Sequence, residues 1–384
     1  MFLIYINLIF ILIHTLILNK NGIEGYYEYE SGITTTINRK EFKWSSTFRY
    51  FIDRSLDTDK IRKAVKLIEK MTCLNFYEEM WFVYGNRGFN YMKDYSRCSF
   101  KYNEWNQKKY YENTIYLSPF CQHKIGSIQQ LTLKMLGIYD VHNRPDRNKY
   151  IKINFSNIEE KYRKYFTKVN SSEPLFNTTF DFGSALHYKV DIYSNSRIPI
   201  VISKKKYYSN MLGQQRLLSF NDYKLLNGYY CYENCKGINN FCLNGGYLDS
   251  RSCMRCICPE NFHGTSCEKV KHLHEDNCGN TYLSASESSK ELIIHKDKTC
   301  NYYIKSKINS KIEITIVELN LVESKPCHYE MGLQIKYLKD KGNTGLCLCD
   351  KYSNITLLSE DNTVFIQYNG WTFHDKAVIR YREV

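Results

Sequence analysis

Two hydrophobic periods divide the chain. Over residues 59–71, Ile61, Ala64, Val65, Ile68 and Met71 recur at helical spacing on one face, which predicts a core-facing helix with Thr58 as its N-cap. A second helix is predicted from about 127 to 136, closed by Gly137, the residue most easily placed in a left-handed cap. Beyond 278 the period falls to two. Residues 311–316, 333–337, 364–368 and 378–381 alternate apolar with polar positions, the pattern of half-buried strands in a β-sandwich. The stretch between, 235–267, follows neither period and carries six cysteines in 33 residues. The fold class expected is α+β, in three units: a mixed helix and strand domain over 41–231, a small disulfide-rich module over 232–268, and an all-β sandwich over 278–384.

Composition adds a compartment. At 384 residues, with 43% hydrophobic side chains and 34 Tyr and 20 Phe among them, the chain can fill more than one core, and disorder is not its default state. Fifteen cysteines and a run that stays largely apolar from Met1 to Leu18 point to the oxidising secretory route. Residues 1–20 are expected to be a signal peptide. Because the run is long and lacks a basic leader, an uncleaved anchor is the alternative, and only then would a membrane be a partner. The N-x-S/T sequons at Asn154, Asn170, Asn177 and Asn354 fit exposure to glycosylation. The formal charge of +13 is spread among interleaved acidic residues, which reads as a solvated surface. Among specific partners an extracellular protein or acidic glycan is expected, and no nucleic acid.

The residues that should carry chemistry occur in one order. They are Phe42-Lys43-Trp44 followed by Phe51-Ile52-Asp53, then Thr72-Cys73-Leu74-Asn75-Phe76, the stretch GSIQQLTLKMLGIYDVHNRPDR over 126–147, Asp181-Phe182-Gly183-Ser184-Ala185-Leu186-His187-Tyr188, and Gly213-Gln214-Gln215-Arg216 with Leu218-Ser219-Phe220-Asn221-Asp222-Tyr223. Across these about 190 residues the chain resembles the catalytic domain of the astacin zinc endopeptidases, which implies a two-lobed metzincin-like fold. In active astacins the central stretch reads H-E-x-x-H-x-x-G-x-x-H-E-x-x-R-x-D-R: three His bind zinc and the first Glu activates the metal-bound water. With Gly137, Arg144, Asp146 and Arg147 in register, Gln130, Lys134 and Asp140 stand at the zinc-ligand positions and Leu131 at the base.

Each replacement works against the family's chemistry. Gln130 offers a weakly binding amide oxygen, and Leu131 cannot take a proton. An ammonium facing a dication at roughly 4 Å costs on the order of 8 kcal/mol at an effective dielectric of about 20. A single carboxylate, Asp140, does not make a zinc site. Neither zinc nor any other cofactor is expected, and no catalytic residue. Val141 and Leu186 replace the family's second Glu and the Met beneath the metal, and residues 21–40, a short pro-like segment, lack the Asp that caps zinc in a zymogen. His123, His142 and His187 read as surface or core residues, Ser219 with Asp222 as a helix-capping pair, and Tyr188 as an aromatic packed beneath the cleft. Lys134 and Asp140 either meet as a metal-free cross-link, with Gln130 bonded to one of them, or Lys134 swings out to solvent.

The resemblance also implies Cys73 with Cys231 and Cys98 with Cys121. Cys235, Cys242, Cys253, Cys256, Cys258 and Cys267 end in C-x-C-x8-C and resemble an EGF-like module. Six cysteines alone allow fifteen pairings; the family order implies Cys235 with Cys253, Cys242 with Cys256, and Cys258 with Cys267, in a structural spacer without calcium. Cys278-Gly279, Cys300-Asn301-Tyr302-Tyr303-Ile304 and Cys327-His328-Tyr329-Glu330 resemble a CUB domain. That implies Cys278 with Cys300, and Cys327 with Cys349 or Cys347, preferably Cys349, leaving one thiol over. Glu330 reads as a solvated charge. The function expected is that of a secreted binding protein in a protease's shape. The alternatives are an active astacin-type zinc endopeptidase and an extracellular structural protein cross-linked through the odd thiol.

Overall fold

The structure, a computed structural model, describes residues 45–85, 88–102, 112–170, 172, 175–194, 198–271 and 278–384. The expected leader, the pro-like segment and Phe42-Lys43-Trp44 lie outside the described residues. Among those described, no helix is long and apolar enough to cross a membrane.

The first unit opens with a five-stranded sheet. Strands β1 (Thr47–Ile52), β2 (Asn75–Glu79), β3 (Gly88–Lys93), β4 (Ser99–Lys101) and β5 (Thr114–Leu117) lie in the order β2-β1-β3-β5-β4, all parallel except β4 at the edge. Helix α1 (Thr58–Met71) buries Ile61, Ala64, Val65 and Ile68. Its N-cap is Asp57 rather than Thr58: the Asp57 carboxylate accepts from the Lys60 amide at 3.2 Å and meets His123 Nδ1 at 2.7 Å, so Thr58 becomes the first helical residue. Helix α2 (Ile125–Met135) begins two residues before the expected 127 and is buried from Gly126 to Met135. It is tied to β3 by the Thr132 and Tyr91 hydroxyls at 2.7 Å. Gln129 Nε2 donates to the Ala64 carbonyl at 3.2 Å and to Tyr223 Oη at 2.8 Å, which ties α2 to α1 and to α3 (Phe220–Cys231). Ser219 and Asp222 cap α3 reciprocally.

The cysteine-rich module is two short hairpins, Tyr247–Leu248 with Cys256–Ile257 and Phe262–His263 with Lys269–Val270. One arginine anchors it to the first unit. Arg251 donates to the carbonyls of Thr72 at 3.0 Å, Leu74 at 2.7 Å and Glu69 at 3.4 Å, and to Asn75 Oδ1 at 3.1 Å, so four acceptors at the α1–β2 junction converge on one guanidinium. Charged hydrogen bonds of this kind contribute about 1.5–3 kcal/mol where water is kept away. Because Arg251 is largely exposed, Arg251→Ala is expected to lower stability by only about 2 kcal/mol and to raise hydrogen exchange over residues 69–75. Unchanged exchange there would count against the anchor.

The last unit is a sandwich. One sheet joins Tyr282–Ser284, Thr299–Lys305, Thr363–Asn369, Gly332–Lys336 and Leu346–Leu348; the other joins Lys290–His295, Lys376–Glu383, Ile312–Asn320 and Lys351–Leu358. The alternation over 333–337 set Gln334 and Lys336 opposite Leu333 and Ile335, but all five residues of Gly332–Lys336 are buried. The reason is tertiary: the outer face of this sheet packs on the other two units. The Asp181 carboxylate accepts from the Thr344 amide at 3.2 Å and hydroxyl at 3.1 Å, and the Asp340 carboxylate from Thr179 Oγ1 at 3.0 Å and Asn221 Nδ2 at 3.2 Å. A Cβ at Gly183 would stand 2.5 Å from the Thr344 methyl, so this approach requires glycine. Glu330, expected as a solvated charge, instead pairs with Arg216 of the first unit at 2.9 Å.

Seven disulfides join Cys73 to Cys231, Cys98 to Cys121, Cys235 to Cys253, Cys242 to Cys256, Cys258 to Cys267, Cys278 to Cys300 and Cys327 to Cys349. Cys347 is free and buried.

Candidate functional site

The sequence placed its chemistry on α2 and the turn that follows. Gln130 and Lys134, four apart, share one face of that helix. The helix ends because Gly137 takes φ +86°; its amide donates to the Lys134 carbonyl and the Ile138 amide to the Leu133 carbonyl, both at 2.9 Å, a closed glycine cap. The cap reverses the chain so that Asp140 returns over Lys134. Beyond it the Val141 amide donates to the Leu186 carbonyl at 3.1 Å, which fixes the returning segment to the turn carrying Tyr188.

At that point the structure brings three groups together. Lys134 Nζ and Asp140 Oδ1 form an ion pair at 2.9 Å, with both side chains only 4% exposed. The Tyr188 hydroxyl donates to the Asp140 carboxylate, and the same ring lies 4.4 Å from the Lys134 ammonium, measured to its centroid. Lys134 therefore does not swing out to solvent. Burial pushes the lysine pKa down and the aspartate pKa up, each opposed by the partner's charge. Gln130 and Leu131 are fully buried beside them.

The surroundings are closed as well. His142, also fully buried, packs at a tilt against Tyr188 and Phe166, with ring centroids 4.3 and 5.1 Å away, and burial holds its pKa well below the usual value. His187 donates Nε2–H to the Asp181 carbonyl at 3.0 Å. Arg147 donates to the carbonyls of His142 and Phe166, while Arg144 forms a two-pronged pair with Asp146, at 2.9 and 3.0 Å, and reaches Thr178. These arginines lock the segment after the glycine cap. His123 is exposed and paired with Asp57, and the other two are core residues.

The donor set does not fit a zinc ion. Zinc needs deprotonated or neutral donors converging at about 2.0–2.3 Å. Here the convergence point holds an ammonium, the carboxylate beside it is engaged by Lys134 and Tyr188, and the remaining position offers an amide.

The expected glycosylation sites differ in access. Asn170, Asn177 and Asn354 are exposed, whereas Asn154 is half-buried and accepts from Ser156 Oγ at 2.7 Å. Sequence reasoning overlooked Lys336 as a candidate, because a lysine in an alternating strand looks like its wet face.

A family model described as Astacin, a peptidase family, matches residues 36–231. The chain belongs to the astacin family. Zinc metalloproteinase nas-34 of Caenorhabditis elegans is 27% identical over 342 residues, covering 85% of this chain and 54% of that protein. Zinc metalloproteinase nas-37 of the same species is 30% identical over 247 residues, covering 63% and 31%. This chain thus spans about half of one of these relatives and about a third of the other. Among solved structures, the hatching enzyme zinc-protease High choriolytic enzyme 1 of Oryzias latipes matches 54% of this chain and 94% of its own, at 18% identity and a TM-score of 0.39. The MASP-1 CUB2 domain bound to Ca2+ matches 26% of this chain and 96% of its own, at 13% identity and a TM-score of 0.22. The matched range includes both Lys134 and Asp140.

Proposed function

We propose that this astacin-family chain is a pseudoprotease: a secreted, extracellular binding protein that neither holds zinc nor hydrolyses peptides. The observation that carries this reading is the buried Lys134–Asp140 pair at 2.9 Å, with Leu131 at the position of the base. Without a carboxylate base a hydrolase loses about a hundredfold to ten-thousandfold in rate, and without a metal the attacking water is not activated at all. The module with three bridges and the two-sheet sandwich are read as EGF-like and CUB units, the latter offering outer surface for a partner. Seven disulfides support an oxidising compartment.

The test is zinc content and proteolysis of the purified chain. Less than a tenth of an equivalent of zinc and no chelator-sensitive cleavage of azocasein are expected. Stoichiometric zinc with chelator-sensitive cleavage would overturn the reading in favour of an active endopeptidase. Restoring Gln130→His, Leu131→Glu, Lys134→His and Asp140→His together is expected to recover zinc binding, because the glycine cap and the locking arginines are present. Any one reversion alone is expected to recover none.

A further inference from the structure

A cavity of about 610 Å3 opens where the three units meet. Its size falls within the range of about 300–1,000 Å3 typical of pockets that enclose small organic ligands. The apolar wall comes from Met71 of α1, Phe220 and Tyr223 of α3, Ile257 and Phe262 of the cysteine-rich module, and Tyr329 of the sandwich. Four cations also line it, Lys70, Arg255, Lys271 and Lys336, against one acid, Glu260. All of these charges except Lys336 are exposed at the rim.

Lys336 is the anomaly. It is 6% exposed, and its ammonium donates to the Lys341 carbonyl at 2.8 Å. Among the described residues no carboxylate lies within ion-pair distance of it. An ammonium carries three donors, and burying one with a single neutral acceptor leaves most of its desolvation uncompensated. Nearby Lys341 shows the ordinary solution, since it is equally buried but has Asp361 at 2.9 Å. Burial pushes the Lys336 pKa down, and Asp181, Glu260 and Asp340 oppose this only at longer range.

We propose that the cavity binds an amphiphilic carboxylate, with its apolar body against Phe220, Tyr223 and Phe262 and its carboxylate on Lys336. The missing counter-ion then arrives with the ligand, and the excess of rim cations favours its approach. The inference rests on reading the chain as a binding protein and names one ligand class for it.

The whole chain is titrated with the fluorescent fatty-acid analogue 11-(dansylamino)undecanoic acid, and the probe is then displaced with dodecanoate or with dodecanol. Saturable binding at one probe per chain is expected, with dodecanoate displacing it at least tenfold better than the alcohol. Lys336→Met is expected to weaken dodecanoate at least tenfold and to leave dodecanol unchanged. Should that variant fail to fold, Glu260→Gln at the rim decides, and is expected to tighten dodecanoate two- to threefold without affecting dodecanol. No saturable binding, equal displacement by acid and alcohol, or a Glu260→Gln variant with unchanged acid affinity overturns the proposal. Zinc content and azocasein cleavage on the same preparation report separately on the pseudoprotease reading, so either reading can fall without the other.

Discussion

Asp140→Leu is expected to destabilise the chain by about 3–5 kcal/mol, and Lys134→Met by a similar amount. Either change leaves one charge at a site that is 4% exposed, with its partner gone. Changing both, as Lys134→Met with Asp140→Leu, removes the two desolvation costs together, and is expected to return stability to within about 1 kcal/mol of the parent or above it. The pair would then show a coupling energy above about 2 kcal/mol in a double-mutant cycle. Tyr188→Phe gives a finer reading, because it deletes the hydroxyl that donates to Asp140 and keeps the ring beside Lys134; a loss of about 1 kcal/mol is expected. Urea denaturation at pH 7 measures all four variants. Single variants within 1 kcal/mol of the parent would show that the site opens to water and that the pair is no cross-link.

The second large effect is acid sensitivity through His187. Its ring is buried, and burial, helped by the positive charge of Arg144, holds its pKa down to about 4 against an ordinary 6.5. The folded chain keeps it neutral while the unfolded chain takes up a proton below 6.5. Its contribution is therefore whole above pH 6.5, falls as the pH drops, and is lost by about pH 4. The total is about 3 kcal/mol. Asp222 works in the opposite sense over the same window. Its carboxyl is pushed up to about 7 by burial and by the charge of Asp181, so the folded state holds a proton that the unfolded state has released, and lower pH favours folding there. The raw stability curve mixes both. Comparison with His187→Gln, whose amide can still donate to the Asp181 carbonyl but does not titrate, isolates the histidine. The stability difference between parent and variant is expected to shift by about 3 kcal/mol, against the parent, between pH 7 and pH 4. Parallel curves would show that His187 is protonated within the fold.

Much of the first unit was legible because its signals are local. The apolar face of α1 and the glycine that closes α2 are written within a dozen residues, and periodicity with cap chemistry suffices to read them. The error at the start of α1 has the same root: Asp57 and Thr58 are both good caps, and the pull of His123 on Asp57 comes from a residue 66 positions away. Cys347 and Cys349 were rivals for Cys327 because a two-residue step on an extended segment preserves the face, so the pattern alone cannot separate them. The lysines were the least legible. Lys134 sits in a helix buried all round, and Lys336 in a strand buried on both faces, and in each case the second covering layer comes from a distant part of the chain. Sequence could name the opposite charges of Lys134 and Asp140 but not choose between contact and solvent. That choice depended on Tyr188 and the locking arginines closing the site.

The free Cys347 changes what oxidation can do to this chain. The residue is 1% exposed on the sandwich strand that faces the first unit, its amide donates to Met211 Sδ of that unit at 3.3 Å, and burial pushes its pKa up to about 12. At neutral pH almost none of it is thiolate, the form that attacks a disulfide or an oxidant. Polymerisation through this residue would first require the sandwich to leave the astacin domain, so chains that stay folded cannot be stitched into a covalent network by it. The rate at which an added alkylating reagent consumes the thiol accordingly becomes a clock for that separation, read from a single sulfur against a background of seven silent bridges.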